Sequence, residues 1–408
     1  MEVLHRKAGG LDVHPDSVVA CARLARGAAV ERVLETFGTT TRELLRLLEW
    51  LQAHGVTHVA MEATGVYWKP VWHVLEGHFT LVLARAQDVK TVPGRKTDVN
   101  DATWIADLLA HGLIRSSFVP PQPIQELRDL TRTRTQLQRE RSQHVQRLQK
   151  VLEDANVKLA NVVSDILGKS GRAILEAIVR GESEPKRLAA LGDARLKASK
   201  AELTEALEGF VRDHHRFLLR LHLGQIDALD ASVAVLDQKI EEVLLPFADL
   251  VRRLKTIPGI QDTSVAILLA EIGHDMSAFP SASHLVSWTA LSPRLDMSNG
   301  KRRSTKTRKG KWAKTMLVQA AWSAVRHKEP SYLSAKFHRV RSRRGSRKAI
   351  VAVAAAMVTA AYHIIKDGTE YRDLGPDYFQ RRSKEKHALR LVHRLRQMGY
   401  DVSVQRVA

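Results

Sequence analysis

The hydrophobic and polar positions of the first 115 residues follow the two-residue period of strands and then the longer period of amphipathic helices. Apolar runs at 10–14, 18–21 and 28–33, separated by turn residues, predict an antiparallel meander. A capping-box pattern at 40–43 followed by leucines on one face predicts a helix that ends near Gly55. The elements expected after it are a strand at 57–61, a helix at 67–75, a strand at 79–84 and a helix at 98–113. This order of elements is that of ribonuclease-H-like nucleases.

After residue 118 the chain is expected to be mainly helical. Prolines at 120–123 interrupt it, and apolar residues at heptad spacing over 127–151 predict a long helix, although polar residues in the seam argue against a clean dimeric coiled coil. A second helical block covers 203–243, where a change of register predicts a stutter or a break near Gly224. Two such blocks would suit an arm that packs on partners or clamps DNA, or an ordinary helical spacer.

The predicted fold class is an α/β ribonuclease-H/resolvase-like N-terminal domain, followed by a long helical segment and a mostly α-helical, basic C-terminal domain. A length of 408 residues suits two or three domains. The boundaries we predict are 1–118, 119–250, 251–375 and, for a basic C-terminal tail, 376–408. Thr256 to Ile260 resembles a helix-hairpin-helix turn, in which backbone N–H groups face a phosphate.

The net charge of +20 lies entirely in the last third of the chain. Residues 1–120 contain 13 basic and 13 acidic side chains and residues 121–250 contain 20 of each, whereas residues 251–408 contain 31 basic and 11 acidic ones. Within 294–348 the numbers are 18 and 2. Such a density is typical of a polyanion-binding surface, since a merely solubilising charge would be spread along the chain. An aromatic content of 5% favours contacts to the nucleic-acid backbone over base stacking.

Four acidic residues occupy positions from which they could form one site. Asp12 lies within the first predicted strand, Glu62 ends the fourth, and Asp98 and Asp101 share one face of a helix. In a ribonuclease-H-like topology these elements meet, although Asp98 could instead cap its helix and Glu62 could merely end a strand. Carboxylates held close together repel, and a hard divalent cation relieves the repulsion. The set therefore predicts a site for Mg²⁺ or Mn²⁺, which would polarise a scissile phosphate.

Several features indicate a protein of the cytoplasm. The single cysteine, Cys21, excludes an internal disulfide framework. The basic pair near the N-terminus is not followed by a long apolar run, so no secretory signal is expected. The apolar stretch from Ala349 to Ile365 is short for a membrane span and is interpreted as a buried helix. We therefore expect a cytoplasmic protein without a membrane partner.

Motifs in both halves of the chain resemble one protein family. The stretches Gly10 to His14, Met61 to Gly65 and Lys96 to Ala102 resemble the N-terminal motifs of the insertion-sequence-110 family of DEDD transposases. The stretches 257–260, 271–273, 291–293 and 298–301 resemble its second domain, so the resemblance covers nearly the whole chain. The sequence departs from the family pattern in two places. Ala290 stands where the family often has glycine, and Asn299 separates Ser298 from Gly300 where many relatives have Ser-Gly directly.

The resemblance implies a recombinase with a metal-binding domain and a separate transposase domain. The metal ligands would be Asp12, Glu62, Asp98 and Asp101, and Ser298 would be the nucleophile, with Ser292 and Ser304 as alternatives. A covalent phosphoserine would conserve the energy of the phosphodiester bond. The partners implied are donor and target double-stranded DNA, a guide noncoding RNA encoded by the element, and further copies of the chain in a dimer or tetramer. The residues around the serine that would bind nucleic acid are Lys301, Arg302, Arg303, Lys306, Arg308, Lys309, Lys311 and Lys314.

Two other functions compete with recombination. A resolvase-like endonuclease would hydrolyse branched DNA with metal-activated water and would need the four acids but not Ser298. A basic nucleic-acid-binding protein would need neither, and its carboxylates would be structural. Substitution of Ser298 and of Asp12 therefore separates the three hypotheses.

Overall fold

A computed structural model of the protein describes residues 3–27, 29–63, 65–84, 101–114, 116–293, 296–298, 301–304, 306–310 and 312–402. The chain forms two compact units, residues 1–119 and residues 120–408. The divisions predicted within the second unit, after residues 250 and 375, remain predictions.

The first unit is a five-stranded mixed sheet with helices on both faces. The strand order is β3-β2-β1-β4-β5, in which β1, β2 and β3 are antiparallel neighbours and β1, β4 and β5 are parallel neighbours. This is the ribonuclease-H-like arrangement that the order of elements predicts, so the predicted fold class is confirmed. Its strands are β1 Lys7–Val13, β2 Ser17–Arg26, β3 Ala29–Gly38, β4 His58–Glu62 and β5 Thr80–Ala84, and its helices are α1 Thr41–Ala53, α2 Trp68–Leu75 and α3 Asp101–Ala110.

The start of α1 contains half of the predicted capping box. The hydroxyl of Thr40 accepts the N–H of Glu43 at 3.5 Å. The carboxylate of Glu43 does not reach back to the cap, because it accepts the N–H of Gly38 at 3.4 Å and pairs with Arg46 at 2.9 Å. Hydrogen bonding to Arg46 lowers the pKa of Glu43. The helix therefore begins where the pattern predicts, with a different partner for its glutamate.

The two faces of the sheet differ in the size of their side chains. Leu11 and Met61 are fully buried in an apolar core with the leucines of α1. On the opposite face Ala8 and Ala60 contact α3. An ideal Cβ on Gly10 would lie 2.1 Å from the carbonyl oxygen of Ala102 and 2.4 Å from the backbone nitrogen of Ala106. Because α3 lies against β1 with backbone on backbone, only glycine is accommodated at this position.

A buried ion pair fixes α3 to the sheet. Arg23 of β2 is 3% exposed, and its Nε donates to the carboxylate of Asp107 at 2.7 Å. Arg32 of β3 donates to the same carboxylate at 3.1 Å. Removing one partner of such a pair leaves a buried charge unmatched, so the pair defines where α3 lies on the sheet.

The second unit is almost entirely helical, and its longest helices are antiparallel neighbours. Arg134 pairs with Asp237 and Arg141 pairs with Asp230, so residue numbers rise along one helix as they fall along the other. The elements are α4 Gln122–Asp154, α5 Leu159–Val162, α6 Lys169–Arg180, α7 Pro185–Ala190, α8 Lys200–Ala206, α9 Asp213–Leu244, a 3₁₀ turn at Leu245–Phe247, α10 Ala248–Lys255, α11 Asp262–Ile272, α12 Ala282–Trp288, β6 Asp296–Ser298, β7 Lys301–Ser304, α13 Ala313–Arg326, α14 Tyr332–Arg344, α15 Ser346–Asp367 and α16 Tyr378–Gln397.

Of the two alternatives predicted near Gly224, the break is wrong, and the stutter within a continuous helix is the one that remains. Helix α9 runs unbroken through Gly224, and the interruption lies before it, at 207–212. A glycine within a helix costs about 1 kcal/mol relative to alanine. Packing outweighs this cost, because Leu223 and Ile226 are buried on either side of Gly224. The change of register near 224 therefore marks a change in the buried face of one continuous helix.

Helix α15 is the single helix within the described ranges that is long and apolar enough to cross a membrane. Its apolar face lies inside the second unit, where Val353, Met357 and Ala361 are fully buried. The hydroxyl of Tyr362 donates to the carbonyl of Phe279 at 3.1 Å. The face is therefore part of a protein core, as the interpretation of this stretch as a buried helix expects.

The neighbouring glycines of β1 give a direct test of the contact with α3. We expect Gly10→Ala to lower the free energy of unfolding by about 3 kcal/mol, because the new methyl meets backbone atoms that cannot move independently. Gly9→Ala is the matched control, since its methyl would meet only side-chain atoms at 3.2 to 3.3 Å, and we expect a loss below about 1 kcal/mol. Urea denaturation of both variants measures the difference. Equal effects of the two substitutions would contradict the close approach at Gly10.

Candidate active site

The parallel strands β1 and β4 end side by side at one edge of the sheet, and each carries an acidic residue there. The pairing register places Leu11 opposite Met61, and the next residues are Asp12 and Glu62. Residues at the same level of two paired strands point to the same face of the sheet. Asp12 and Glu62 are therefore neighbours on one face.

That face is the one covered by α3. Side chains alternate along a strand, so Asp12 points to the same side as Gly10, which contacts α3. Asp101 is the first residue of α3 and directly precedes Ala102, the residue that contacts Gly10. Three of the four predicted acids thus lie at one edge of the sheet, with their ligand atoms not all within 4.8 Å of one another. Asp98, the fourth, lies outside the described residues.

Asp12 has a histidine as a neighbour at this edge. The side chain of Asp12 is 23% exposed and lies 3.1 Å from the Nε2 atom of His14. Within the described ranges neither Asp12 nor Glu62 forms an ion pair with lysine or arginine. The contact with His14 was not predicted, although a histidine two residues after a strand aspartate is a detectable signal for it.

The carboxylates fit a hard divalent cation in their chemistry. They are oxygen donors, they lie at one edge of the sheet, and within the described ranges neither Asp12 nor Glu62 is paired with lysine or arginine. Mg²⁺ and Mn²⁺ prefer such ligands, and binding would relieve the repulsion between the charges. A ligand set of this kind does not distinguish the two ions.

A second group of metal-ligating side chains lies in the second unit. Asp154, His214 and His215 are the described residues whose ligand atoms all lie within 4.8 Å of one another. The Nδ1 atom of His215 accepts the N–H of Arg212 at 3.1 Å, so its Nε2 carries the proton and donates to Asp154 at 2.8 Å. Both ring nitrogens are therefore engaged. The group joins the end of α4 to the start of α9 and is a structural contact.

Ser298 is the last residue of β6 and pairs with Lys301, the first residue of β7. Strands β6 and β7 therefore form a two-stranded antiparallel sheet at the start of the stretch that is rich in basic residues. The signal was present, since Asn-Gly between two short strands is a strong hairpin marker. Of the alternative serines, Ser304 ends β7 and Ser292 precedes the isolated bridge between Pro293 and Thr307.

The predicted nucleic-acid-binding residues occupy three settings. Lys301, Arg302 and Arg303 belong to β7, the side chains of Lys306, Arg308 and Lys309 are exposed, and Lys311 lies outside the described residues. Lys314 is half-buried, and its Nζ donates to the hydroxyl of Thr307 at 2.6 Å and to the carbonyl of Arg308 at 2.7 Å. Burial lowers the pKa of Lys314. Its ammonium group therefore holds Thr307 and Arg308 in place through two hydrogen bonds.

The backbone explains the departure from the family pattern at residue 290. Ala290 has a φ of +59°, in the left-handed region that glycine adopts freely. An L-residue there costs roughly 1–2 kcal/mol. Glycine at this position would remove that strain, so alanine is a tolerated substitute that leaves the chain path unchanged.

Two transposase family models match the chain. The model for DEDD transposases of the IS110 type matches residues 9–157, and the model for transposases of the IS116/IS110/IS902 family matches residues 251–335, so together they cover more than half of the chain. No curated protein matches. Among solved structures, a RuvC structure from Thermus thermophilus matches with 16% sequence identity, a TM-score of 0.21, and coverage of 27% of this chain and 99% of that chain.

A substitution at the acidic edge should change the response of the protein to divalent cations. We expect Glu62→Gln to raise the melting temperature in a chelator, because one of the repelling charges is removed. With Mn²⁺ or Mg²⁺ the wild-type melting temperature should rise. The free energy of unfolding should increase by about 1.4 kcal/mol for each tenfold excess of the cation concentration over the dissociation constant, and the variant should gain less.

Differential scanning fluorimetry in chelator and in a cation series measures both effects. The matched control is Asp16→Asn, which removes an exposed acid from the nearby turn between β1 and β2. An equal cation-dependent shift in wild type and in Glu62→Gln would contradict a cation site at this edge.

Proposed function

Because the chain belongs to the IS110 family of DEDD transposases, we propose that it cuts and rejoins the DNA of an insertion sequence through a covalent phosphoserine at Ser298. The observation that supports the proposal most directly is the register of β1 and β4, which makes Asp12 and Glu62 neighbours beside the start of α3. A structural role would not require acidic residues on three separate elements to meet at one edge.

The acidic residues and the serine have different parts in the proposed reaction. Asp12, Glu62, Asp98 and Asp101 would hold Mg²⁺ or Mn²⁺, which would supply charge stabilisation at the scissile phosphate. The hydroxyl oxygen of Ser298 forms a bond to phosphorus as the bond to one bridging oxygen breaks, and that oxygen leaves with a proton. A hydroxyl group of a second strand then displaces the serine oxygen, which regains its proton. The number of phosphodiester bonds is unchanged, so rejoining needs no ATP.

The basic residues of the C-terminal part support a nucleic-acid substrate. Lys306, Arg308 and Lys309 are exposed. In the sequence they follow the paired strands β6, which ends at Ser298, and β7, which begins at Lys301. Cations at this position would favour the approach of a phosphate and stabilise negative charge as the serine attacks. We propose donor and target double-stranded DNA as substrates, an element-encoded guide RNA as the source of sequence specificity, and a homo-oligomer acting in the cytoplasm at the nucleoid.

A covalent intermediate can be tested directly. The gene is expressed with its native flanking DNA, and protein–DNA adducts are sought on a denaturing gel. We expect an adduct with wild type and none with Ser298→Ala or Asp12→Ala, because one lacks the nucleophile and the other disrupts the acidic site.

Substitutions of the alternative serines are the controls for the adduct test. Ser292→Ala and Ser304→Ala should both retain the adduct, and loss in one of them alone would move the nucleophile to that residue. If the DNA is cut without an adduct and Ser298→Ala still cuts, the protein is a resolvase-like hydrolase and the proposed phosphoserine is wrong.

The salt dependence of DNA binding tests the basic segment. We expect the triple variant Lys306→Gln, Arg308→Gln and Lys309→Gln to bind duplex DNA more weakly than wild type. The slope of log K against log salt concentration should also become shallower, by about 0.9 for each phosphate that the variant no longer neutralises. The matched control, Lys186→Gln with Lys197→Gln and Lys200→Gln, removes the same charge from exposed positions outside the basic segment. Fluorescence anisotropy over a range of salt concentrations measures both slopes. Equal slopes for the two triple variants would contradict the assignment.

A further inference from the structure

A cavity of about 410 Å³ lies in the second unit among helices α4, α11 and α13. Its size is in the range of small-molecule sites. Its lining contains two arginines, a tryptophan, four glutamines and several hydroxyl groups, and no carboxylate. The position of the cavity is distinct from the acidic edge of the first unit and from the strands that carry Ser298.

The tryptophan of the cavity is bordered by two guanidinium groups from α4. Arg132 makes a two-pronged contact with Glu271, a carboxylate that is 4% exposed, at 2.8 and 3.0 Å, and its guanidinium lies 5.4 Å from the ring centre of Trp312. Arg139, two helical turns further along, lies 5.0 Å from the same ring centre. Glu271 thus fixes Arg132, and Arg132 helps to fix the indole.

Arg139 differs from the other arginines of this region in its partners. Arg132 is neutralised by Glu271, and Arg134 by Asp237. Arg139 is exposed and makes no ion pair or hydrogen bond in the part of the chain that the structure describes, so its one described contact is the face of Trp312. A planar cation on an aromatic ring, uncompensated by a carboxylate, therefore borders the cavity.

The glutamines supply hydrogen-bonding capacity at the cavity. The side-chain amides of Gln138, Gln143, Gln146 and Gln319 line the cavity and make no hydrogen bond within the described ranges. Each amide offers donors and an acceptor side by side, which is the pattern that matches the edge of a nucleobase. An apolar ligand would leave these amides and the guanidinium unsatisfied.

We propose that this cavity binds one unpaired nucleotide of a single-stranded segment. Its base stacks on the guanidinium group of Arg139, which lies over the ring of Trp312. The glutamine amides contact the edge of the base, and the flanking phosphate pairs with the N–H groups of the same guanidinium. Arginine planes and aromatic rings are common platforms for unstacked bases. The inference rests on the proposed function in taking the ligand to be nucleic acid. The unpaired nucleotide belongs either to a guide RNA or to an opened DNA strand, and the test separates these sources.

The test measures affinity of the full-length protein for three fluorescein-labelled probes: a short single-stranded RNA, the same sequence as single-stranded DNA, and the DNA duplex. We expect Arg139→Gln and Trp312→Leu to weaken binding of a single-stranded probe by about 5- to 100-fold, the range for loss of one stacked base. Duplex binding should stay close to that of wild type, because paired bases cannot enter the cavity.

Three further variants keep the result interpretable. Arg147→Gln removes the same charge from an exposed position of α4 that does not line the cavity, and it should leave single-strand affinity close to that of wild type. Trp312→Phe retains an aromatic face and, unlike Trp312→Leu, should keep most of the affinity for the single-stranded probes. Gln143→Ala changes an exposed side chain on α4 and tests the edge contact in a variant that does not disturb the core.

Weaker binding of RNA alone would identify a guide strand, and weaker binding of single-stranded DNA alone would identify an opened substrate strand. The proposal is overturned if Arg139→Gln behaves like Arg147→Gln on every probe, if the duplex loses as much affinity as the single strands, or if wild type binds no single-stranded probe. The adduct assay is independent of these readings. Ser298→Ala should bind all three probes like wild type, and a wild type that forms no adduct would overturn the phosphoserine and leave the single-strand result intact.

Discussion

The direct contact between the backbones of β1 and α3 is the constraint on which the acidic edge depends. At Gly10 there is no space for a side chain, because the carbonyl of Ala102 occupies the position of a Cβ. This close approach places Asp101, in the first turn of α3, near the ends of β1 and β4, where Asp12 and Glu62 lie. The buried pair of Arg23 and Asp107 holds α3 one and a half turns further on. A hydrogen atom in place of a side chain therefore determines how closely the start of α3 approaches β1.

In the second unit two arginines of α4 determine how that helix packs against α11. Arg128 donates to the carbonyls of Ala270 and Glu271, which are among the last of α11 and lack helical partners. Burial lowers the pKa of Arg128 to about 10, so the group remains charged at neutral pH. Arg132, one turn later, satisfies the buried carboxylate of Glu271. The long helix is thereby joined to the helix that follows the Thr256 to Ile260 turn, and the position of α4 along α11 is specified by paired charges.

The sequence was sufficient for features that depend on local periodicity and insufficient for those that depend on tertiary contacts. The order of strands and helices predicts the sheet because alternation and turn residues are local signals, and the same pattern assigns Asp12 and Glu62 to neighbouring strands. Continuity of α9 through Gly224 depends on burial against other helices, which no local signal contains. The pairing of β6 with β7 could have been predicted, because Asn-Gly separates the two strands in the sequence. The positions of Asp98 and of the Ser298 side chain remain predictions.

Charge counted along the chain does not show where charge is available in the fold. Residues 121–250 have equal numbers of basic and acidic side chains, so the charge count assigned the polyanion-binding surface to the last third of the chain instead. In the structure the balance is local, since Arg134 and Arg141 are neutralised by aspartates of α9, whereas Arg139 between them has an aromatic ring as its partner. Likewise, a low overall aromatic content argues against base stacking only if aromatic residues are spread evenly. One tryptophan beside an uncompensated guanidinium supplies a stacking surface that neither average reveals.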